Sequence, residues 1–289
     1  MGIFKKFGLY VMPIHYYYPI PDIDKIERDL CWDSNPKKIP GVDLNVDYQL
    51  RLLQVEFPKY VHEYSFPLEK SDVGNTNEFY FNNHMFANTD AEVYYCMIRH
   101  FKPGTVIEVG GGRSTQICCE ASKKNFKINK KKTKIFVIEP YPNLKILNTL
   151  CKDSRELIET KVEDIGHNYF QQLHENDILF IDSSHVVRSG GDVNYLFLEI
   201  LPILNPGVIV HIHDIRLPYE VSKNNVMNGT FWTEQYLLQA FLIGNKDYEV
   251  LWGTHLMSKQ FTMDVGKVFR SSYGGKYAGS SFWIRRVSR

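Results

Sequence analysis

Thr105-Val106-Ile107-Glu108-Val109-Gly110-Gly111-Gly112-Arg113-Ser114-Thr115 is an apolar β-run that ends in glycines and passes at once into a helix start. A buried strand followed by Gly-x-Gly lets the main chain turn tightly. Ser114 or Thr115 can cap the next helix, whose first N–H groups then face a ligand. Nucleotide-like cofactors bind at such turns, although a glycine cluster after a strand is equally often a plain structural turn. The dinucleotide fingerprint Gly-x-Gly-x-x-Gly needs a third glycine where Thr115 stands, which weakens a nicotinamide reading.

Outward from this stretch the pattern is regular. It predicts helices over 90–100, 114–122, 144–151, 193–201 and 232–243, and strands over 105–109, 134–138, 157–162, 178–181, 208–212, 248–252 and 281–286. Such alternation predicts an α/β domain over residues 89–289, a mainly parallel sheet with helices on both faces and ligands at the carboxyl ends of the strands. Residues 1–88 are aromatic-rich and broken by prolines, with one helix over 43–60, and read as an N-terminal extension packing on that core. Tyr16, Tyr17 and Tyr18 suit anchoring against it, since an aromatic body with a polar tip fits a half-buried surface.

The formal charge of +1 on 289 residues argues against a dedicated nucleic-acid binder. The runs Lys123-Lys124 and Lys130-Lys131-Lys132 read as a solvated loop after the first helix of the domain. The five cysteines form no Cys-x-x-Cys pair and suggest neither a disulfide framework nor a zinc ribbon, so a reducing, cytoplasmic setting is expected. No run approaches the ~18–20 apolar residues of a membrane span.

The predicted strand ends carry the chemistry. Strand two closes on Glu139-Pro140, where a carboxylate can accept hydrogen bonds from both ribose hydroxyls. Strand four closes on Asp182-Ser183-Ser184-His185, and strand five on His211-Ile212-His213-Asp214. Period-two alternation puts His211 and His213 on one face. His211, deeper in the strand, reads as a satisfied core group, while Asp182, His213 and Asp214 can converge on a cation.

Taken together, Glu108-Val-Gly-x-Gly, Glu139, Asp182-x-x-His185, the Asn205-Pro206-Gly207 turn and His213-Asp214 resemble a class I S-adenosylmethionine-dependent O-methyltransferase of the bacterial polysaccharide-associated group. The similarity runs from about Pro19 to Arg286 and takes in 232–238 and 279–284. It implies a Rossmann-like seven-stranded sheet with an antiparallel last strand. It also implies Glu108, Gly110 and Gly112 at the methionine end of S-adenosylmethionine, Glu139 at the ribose, Val162 and Glu163 at the adenine, and Ser114, Pro140 and Asp182 as further cofactor-binding residues. A more distant likeness to metal-dependent macrolide sugar O-methyltransferases implies Asp182, His213 and Asp214 as metal ligands and His185 as base. Those relatives carry two acidic or amide side chains where His213-Asp214 stands. Oxygen ligands suit magnesium or manganese, whereas an imidazole shifts preference towards transition metals.

The expected activity is methylation of a sugar or glycan hydroxyl. Another small-molecule hydroxyl, an NAD-linked oxidoreductase of related fold and a non-catalytic cofactor-binding module stand as alternatives. The expected partners are the acceptor and, as an open choice, further copies of the chain.

Overall fold

In the computed structural model, all residues are described except 1–3, 5, 13–14, 71–77, 87, 148–150, 152, 272–277 and 288–289. Seven strands form one sheet: β1 (Thr105–Val109), β2 (Lys134–Ile138), β3 (Arg155–Ile158), β4 (Ile178–Ile181), β5 (Ile209–Ile212), β6 (Tyr248–Gly253) and β7 (Phe282–Arg286). Their order is β3-β2-β1-β4-β5-β7-β6. The five strands β1 to β5 pair in parallel, and β7 inserts antiparallel between β5 and β6. This is the Rossmann-like methyltransferase sheet expected from the sequence. The strand order reverses between β1 and β4, where a doubly wound sheet opens a crevice at its carboxyl edge.

The central strands are apolar apart from Glu108 in β1 and His211 in β5, because helices cover both faces. Alternate residues feed two cores. Val106, Ile178, Phe180 and Ile209 pack on one side, and Ile107, Leu179, Ile181 and Val210 on the other.

The helices are α1 (Ile23–Arg28), α2 (Val46–Arg51), α3 (Asn88–Phe101), α4 (Arg113–Asn129), α5 (Leu144–Leu147), α6 (Asp192–Tyr195), α7 (Lys223–Met227), α8 (Glu234–Leu242), α9 (Thr254–Gln260) and α10 (Thr262–Val268). Both α2 and α6 widen into a π-helical turn and then tighten to a 3₁₀ turn, at 52–59 and 196–203. Among the described residues no helix is long and apolar enough to cross a membrane.

Several expectations need correction. Helix α4 runs to Asn129, so Lys123 and Lys124 lie on it and only the second lysine run is loop. The third strand ends at Ile158, and Val162 instead opens a 3₁₀ turn over Val162–Asp164. The predicted helix over 144–151 is seen as far as Leu147, and 148–150 lie outside the described residues. Cys119 and Cys151 are joined by a disulfide with Cα atoms 5.8 Å apart. Their separation of 32 residues carries no pairing signal; folding of α4 beside the approach to β3 brings them together.

The N-terminal extension divides in two. From α2 onward it is part of the core, with Leu52, Leu53, Phe57, Phe79, Phe81 and Phe86 buried in the cluster that holds α3 and α4. Tyr16 and Tyr17 do not anchor: they are 81% and 79% exposed and pack on His15 and each other.

Candidate active site

The parallel register brings Val109, Ile138, Ile181 and Ile212 into line across the sheet. The next residue of each chain still donates to its neighbour. Gly110 N–H reaches the Ile138 carbonyl at 2.9 Å, Asp182 N–H that of Val109 at 2.8 Å, and His213 N–H that of Ile181 at 2.9 Å. The ladder therefore fixes these residues along one rim before their side chains do anything.

At the β1–β2 side the main chain makes the site. Gly110 has φ +84°, and a Cβ there would lie 2.1 Å from the Asp182 carbonyl oxygen. Only glycine allows both that backbone and that approach. Glu139 accepts N–H bonds from Gly111 at 3.3 Å and Tyr141 at 2.8 Å, which fixes its carboxylate with lone pairs to spare for a ribose. Gly110, Glu139, Pro140, Val162, Glu163 and Asp182 line one cleft of about 370 Å³, together with Lys161 and Arg188.

Glu108, Gly112 and Ser114 are not on its wall. Glu108 is wholly buried beneath, accepting from Tyr94 Oη at 2.9 Å and Thr115 Oγ1 at 2.6 Å. Burial pushes its carboxyl up to about 7, against the pull of these hydroxyls. The helix cap also differs from expectation. Gly112 is the cap, and Thr115 Oγ1 reaches back to accept its N–H at 3.1 Å.

At the β4–β5 side the side chains make the site. His185 Nε2 lies 3.2 Å from Asp182 Oδ1 and 3.6 Å from Asp214 Oδ2, and His213 Nδ1 lies 3.5 Å from each of the same two oxygens. The histidines are buried, whereas the carboxylates keep 31% and 26% of their side-chain surface. Among the described residues neither ring nitrogen of His213 makes a hydrogen bond of ordinary length, although carboxylates stand 3.5–3.6 Å from both. A buried imidazole left so is costly. Of the residues expected to hold a metal, Asp182 and Asp214 gather within reach of a single ion, with His185 rather than His213 as the third member of the group.

Known proteins were compared with this arrangement. An uncharacterised protein of Archaeoglobus fulgidus is 31% identical over 178 residues, which make up 60% of this chain and 78% of that protein. Residues 107–215, which hold the end of β1, all of β2 to β5 and all four members of the His–Asp cluster, match a family described as "Methyltransferase domain". Over those residues the chain carries a methyltransferase domain. Among solved structures, a Podospora anserina methyltransferase bound to S-adenosylhomocysteine is 12% identical, covering 97% of this chain and all of that one, with a TM-score of 0.41. The plantazolicin methyltransferase BpumL, in complex with a monoazolic desmethylPZN analog and S-adenosylhomocysteine, is also 12% identical, covering 85% of this chain and 89% of its own, with a TM-score of 0.45.

The charges of the His–Asp cluster set one another. Burial disfavours both Asp182 and Asp214 as carboxylates, but the imidazoles of His213 and His185 outweigh it and hold both below the usual range. Burial likewise pulls His185 down. Its hydrogen bonds with Asp182 and Glu234 prevail and push it up to about 10. Both of its ring nitrogens face carboxylates, Nδ1 towards Glu234 and Nε2 towards Asp182 and Asp214.

His211 is a core residue, fully buried and stacked on Trp283 with centroids 4.2 Å apart. It is not satisfied as expected, because neither of its nitrogens finds a partner. Burial and the neighbouring His213 lower its pKa well below the usual value and keep it neutral.

Three residues that support the cluster escaped the sequence reading. Glu234, 1% exposed in the first turn of α8, accepts from or pairs with His185 Nδ1 at 2.8 Å. Ser280 Oγ donates to Asp214 Oδ1 at 2.8 Å. Asp90 stands 3.6 Å behind His213 Nε2 and accepts the N–H groups of Ser280 and Ser281. Each is distant in sequence from the residue it supports, and a single chain gives no signal for such pairs. Glu234 alone offered one, as an acidic residue at the start of an apolar helix.

Proposed function

We propose that this S-adenosylmethionine-dependent methyltransferase acts on a hydroxyl oxygen of a sugar or glycan, with a divalent cation held by Asp182 and Asp214. One observation carries the proposal: Asp182 belongs both to the wall of the cofactor cleft and to the His–Asp cluster. A methyl donor in the cleft and an acceptor at the cluster would therefore meet across a single residue.

In the proposed reaction the acceptor oxygen forms a bond to the methyl carbon as the carbon–sulfur bond breaks. S-adenosylhomocysteine forms and the hydroxyl proton leaves. The sulfonium already activates the methyl group, so the protein's contribution is alignment and help with that proton. An alcohol is a poor acid, and a bound cation would lower its pKa as catalytic metals do for water. Glu139 and the Gly110 turn would hold ribose and methionine, with Val162 and Glu163 at the adenine. The part-exposed oxygens of Asp182 and Asp214 would face the acceptor side.

The experiment is transfer of labelled methyl from S-adenosylmethionine to a panel of oligosaccharides and simpler alcohols, with and without chelator. Label in a base-stable ether that chelation suppresses is the expected result. Label on nitrogen or carboxylate, or turnover indifferent to chelation, would overturn the proposal.

A further inference from the structure

We propose that the last two turns of α4 and the turn that follows it form a docking surface for an anionic lipid bilayer. Residues 123–134, Lys-Lys-Asn-Phe-Lys-Ile-Asn-Lys-Lys-Lys-Thr-Lys, hold seven lysines and no carboxylate. The whole chain has a formal charge of +1, so without these seven lysines it would stand at −6. Positive charge is therefore gathered in one place, and such a patch draws an anionic surface.

Packing explains why the patch stays in solvent. Cys118, Ala121, Ser122 and Asn125 recur at helical spacing and are buried, with Asn125 donating to the Ile98 carbonyl at 3.0 Å. Lys123, Phe126, Lys127 and Lys130 follow the other side, and every residue from 126 to 132 is exposed. Lys130, at φ +58°, ends the helix, and Thr133 Oγ1 donates to the Pro103 carbonyl at 2.8 Å, which sets exposed Lys102 at the edge of the same surface. Lys123 pairs with Glu120 at 2.6 Å; among the described residues no carboxylate pairs with Lys127, Lys130, Lys131, Lys132 or Lys134. The Asp177 carboxylate at this edge is spent on the N–H groups of Gly104, Thr105 and His174.

Two features favour lipid over a polyanionic chain. Phe126 and Ile128 flank Lys127 and are 51% and 53% exposed, so apolar side chains stand among the lysines, as an interfacial surface requires. Residues 123–134 hold a single aromatic ring, which gives no row of platforms for successive bases. The placement also leaves the crevice free. Helix α4 starts at the glycine turn and runs 17 residues, so the patch lies roughly 25 Å away, at the opposite edge of the sheet.

The test is flotation of the full chain with vesicles of phosphatidylcholine alone or mixed with phosphatidylglycerol. Binding is expected to the mixed vesicles only, and it should weaken as salt rises. The triple variant K130Q/K131Q/K132Q should lose roughly 10²-fold in partitioning, and Phe126→Ala roughly 10-fold. A control triple on other exposed lysines, K38Q/K246Q/K259Q, should partition like the parent, with unchanged thermal melting as the check that each variant folds. Parent-like partitioning of the first triple or of Phe126→Ala, an equal loss in the control triple, or equal binding to both kinds of vesicle would overturn the proposal. Binding to a single-stranded oligonucleotide but not to vesicles would overturn it in favour of a nucleic-acid partner.

Discussion

At the β1–β2 rim of the crevice Glu139 is held by two backbone N–H groups and Glu108 by two hydroxyls, whereas at the β4–β5 rim neither buried nitrogen of His213 makes a hydrogen bond of ordinary length. The first rim is complete as the chain folds. The second is a set of donors short of a ligand. The difference teaches that a buried polar group already hydrogen-bonded shapes a site, while one short of hydrogen bonds beside part-exposed carboxylates, as His213 is and the core residue His211 is not, leaves room for a ligand. Damage to the two rims should therefore show differently, in backbone stability on one side and in metal-linked turnover on the other.

The largest effect should come at the second rim. Asp214→Asn should reduce turnover roughly 10²- to 10³-fold, the scale on which preorganised charge stabilisation acts. Stopped-time assays with saturating S-adenosylmethionine check it, and a loss under tenfold would place Asp214 outside the chemistry.

Next is the glycine turn. Gly110→Ala should destabilise by roughly 2–4 kcal/mol, since positive φ and the clash with the Asp182 carbonyl act together. Gly112→Ala should change stability by no more than about 0.5 kcal/mol, because its φ of 172° is ordinary extended backbone and the added Cβ would meet nothing nearer than Met85 at 3.9 Å. Urea denaturation of the pair checks both, and equal losses would contradict a main-chain origin for this rim.

A smaller, pH-dependent effect belongs to Glu108. Its folded carboxyl is pushed up to about 7 against an ordinary 4.5, so the folded state binds that proton more tightly than the unfolded chain. Its stabilising contribution is full below about pH 4.5 and is lost as pH rises through 7. Glu108→Gln cannot titrate, and its denaturation midpoint should vary less than the parent's across that interval. Parallel curves for the two proteins would remove Glu108 as the source.

Most of this contrast was legible in the chain. The apolar runs ending at Val109, Ile138, Ile181 and Ile212 announce parallel strands buried on both faces, and the polar residue after each run is the site. The glycine turn and Glu139 could be read because strand-end chemistry is local in sequence. What could not be read depends on distance. Glu234 supports His185 from 49 residues away, and Ser280 supports Asp214 from 66. The burial of Glu108 was hidden for a related reason: Tyr94 and Thr115 enclose it, and neither contact leaves a mark in the strand's own pattern. The tyrosines at 16–18 misled in the opposite way, since an aromatic run signals a capacity for burial but not whether a surface is there to receive it.

The most direct test of two rims with separate duties is calorimetric titration of S-adenosylhomocysteine into the parent protein, Glu139→Ala and Asp214→Asn. Glu139→Ala should lose roughly 1.5–3 kcal/mol of binding, the range for a hydrogen bond to a charged group, while Asp214→Asn should bind like the parent. Unchanged affinity in Glu139→Ala, or an equal loss in both variants, would contradict it.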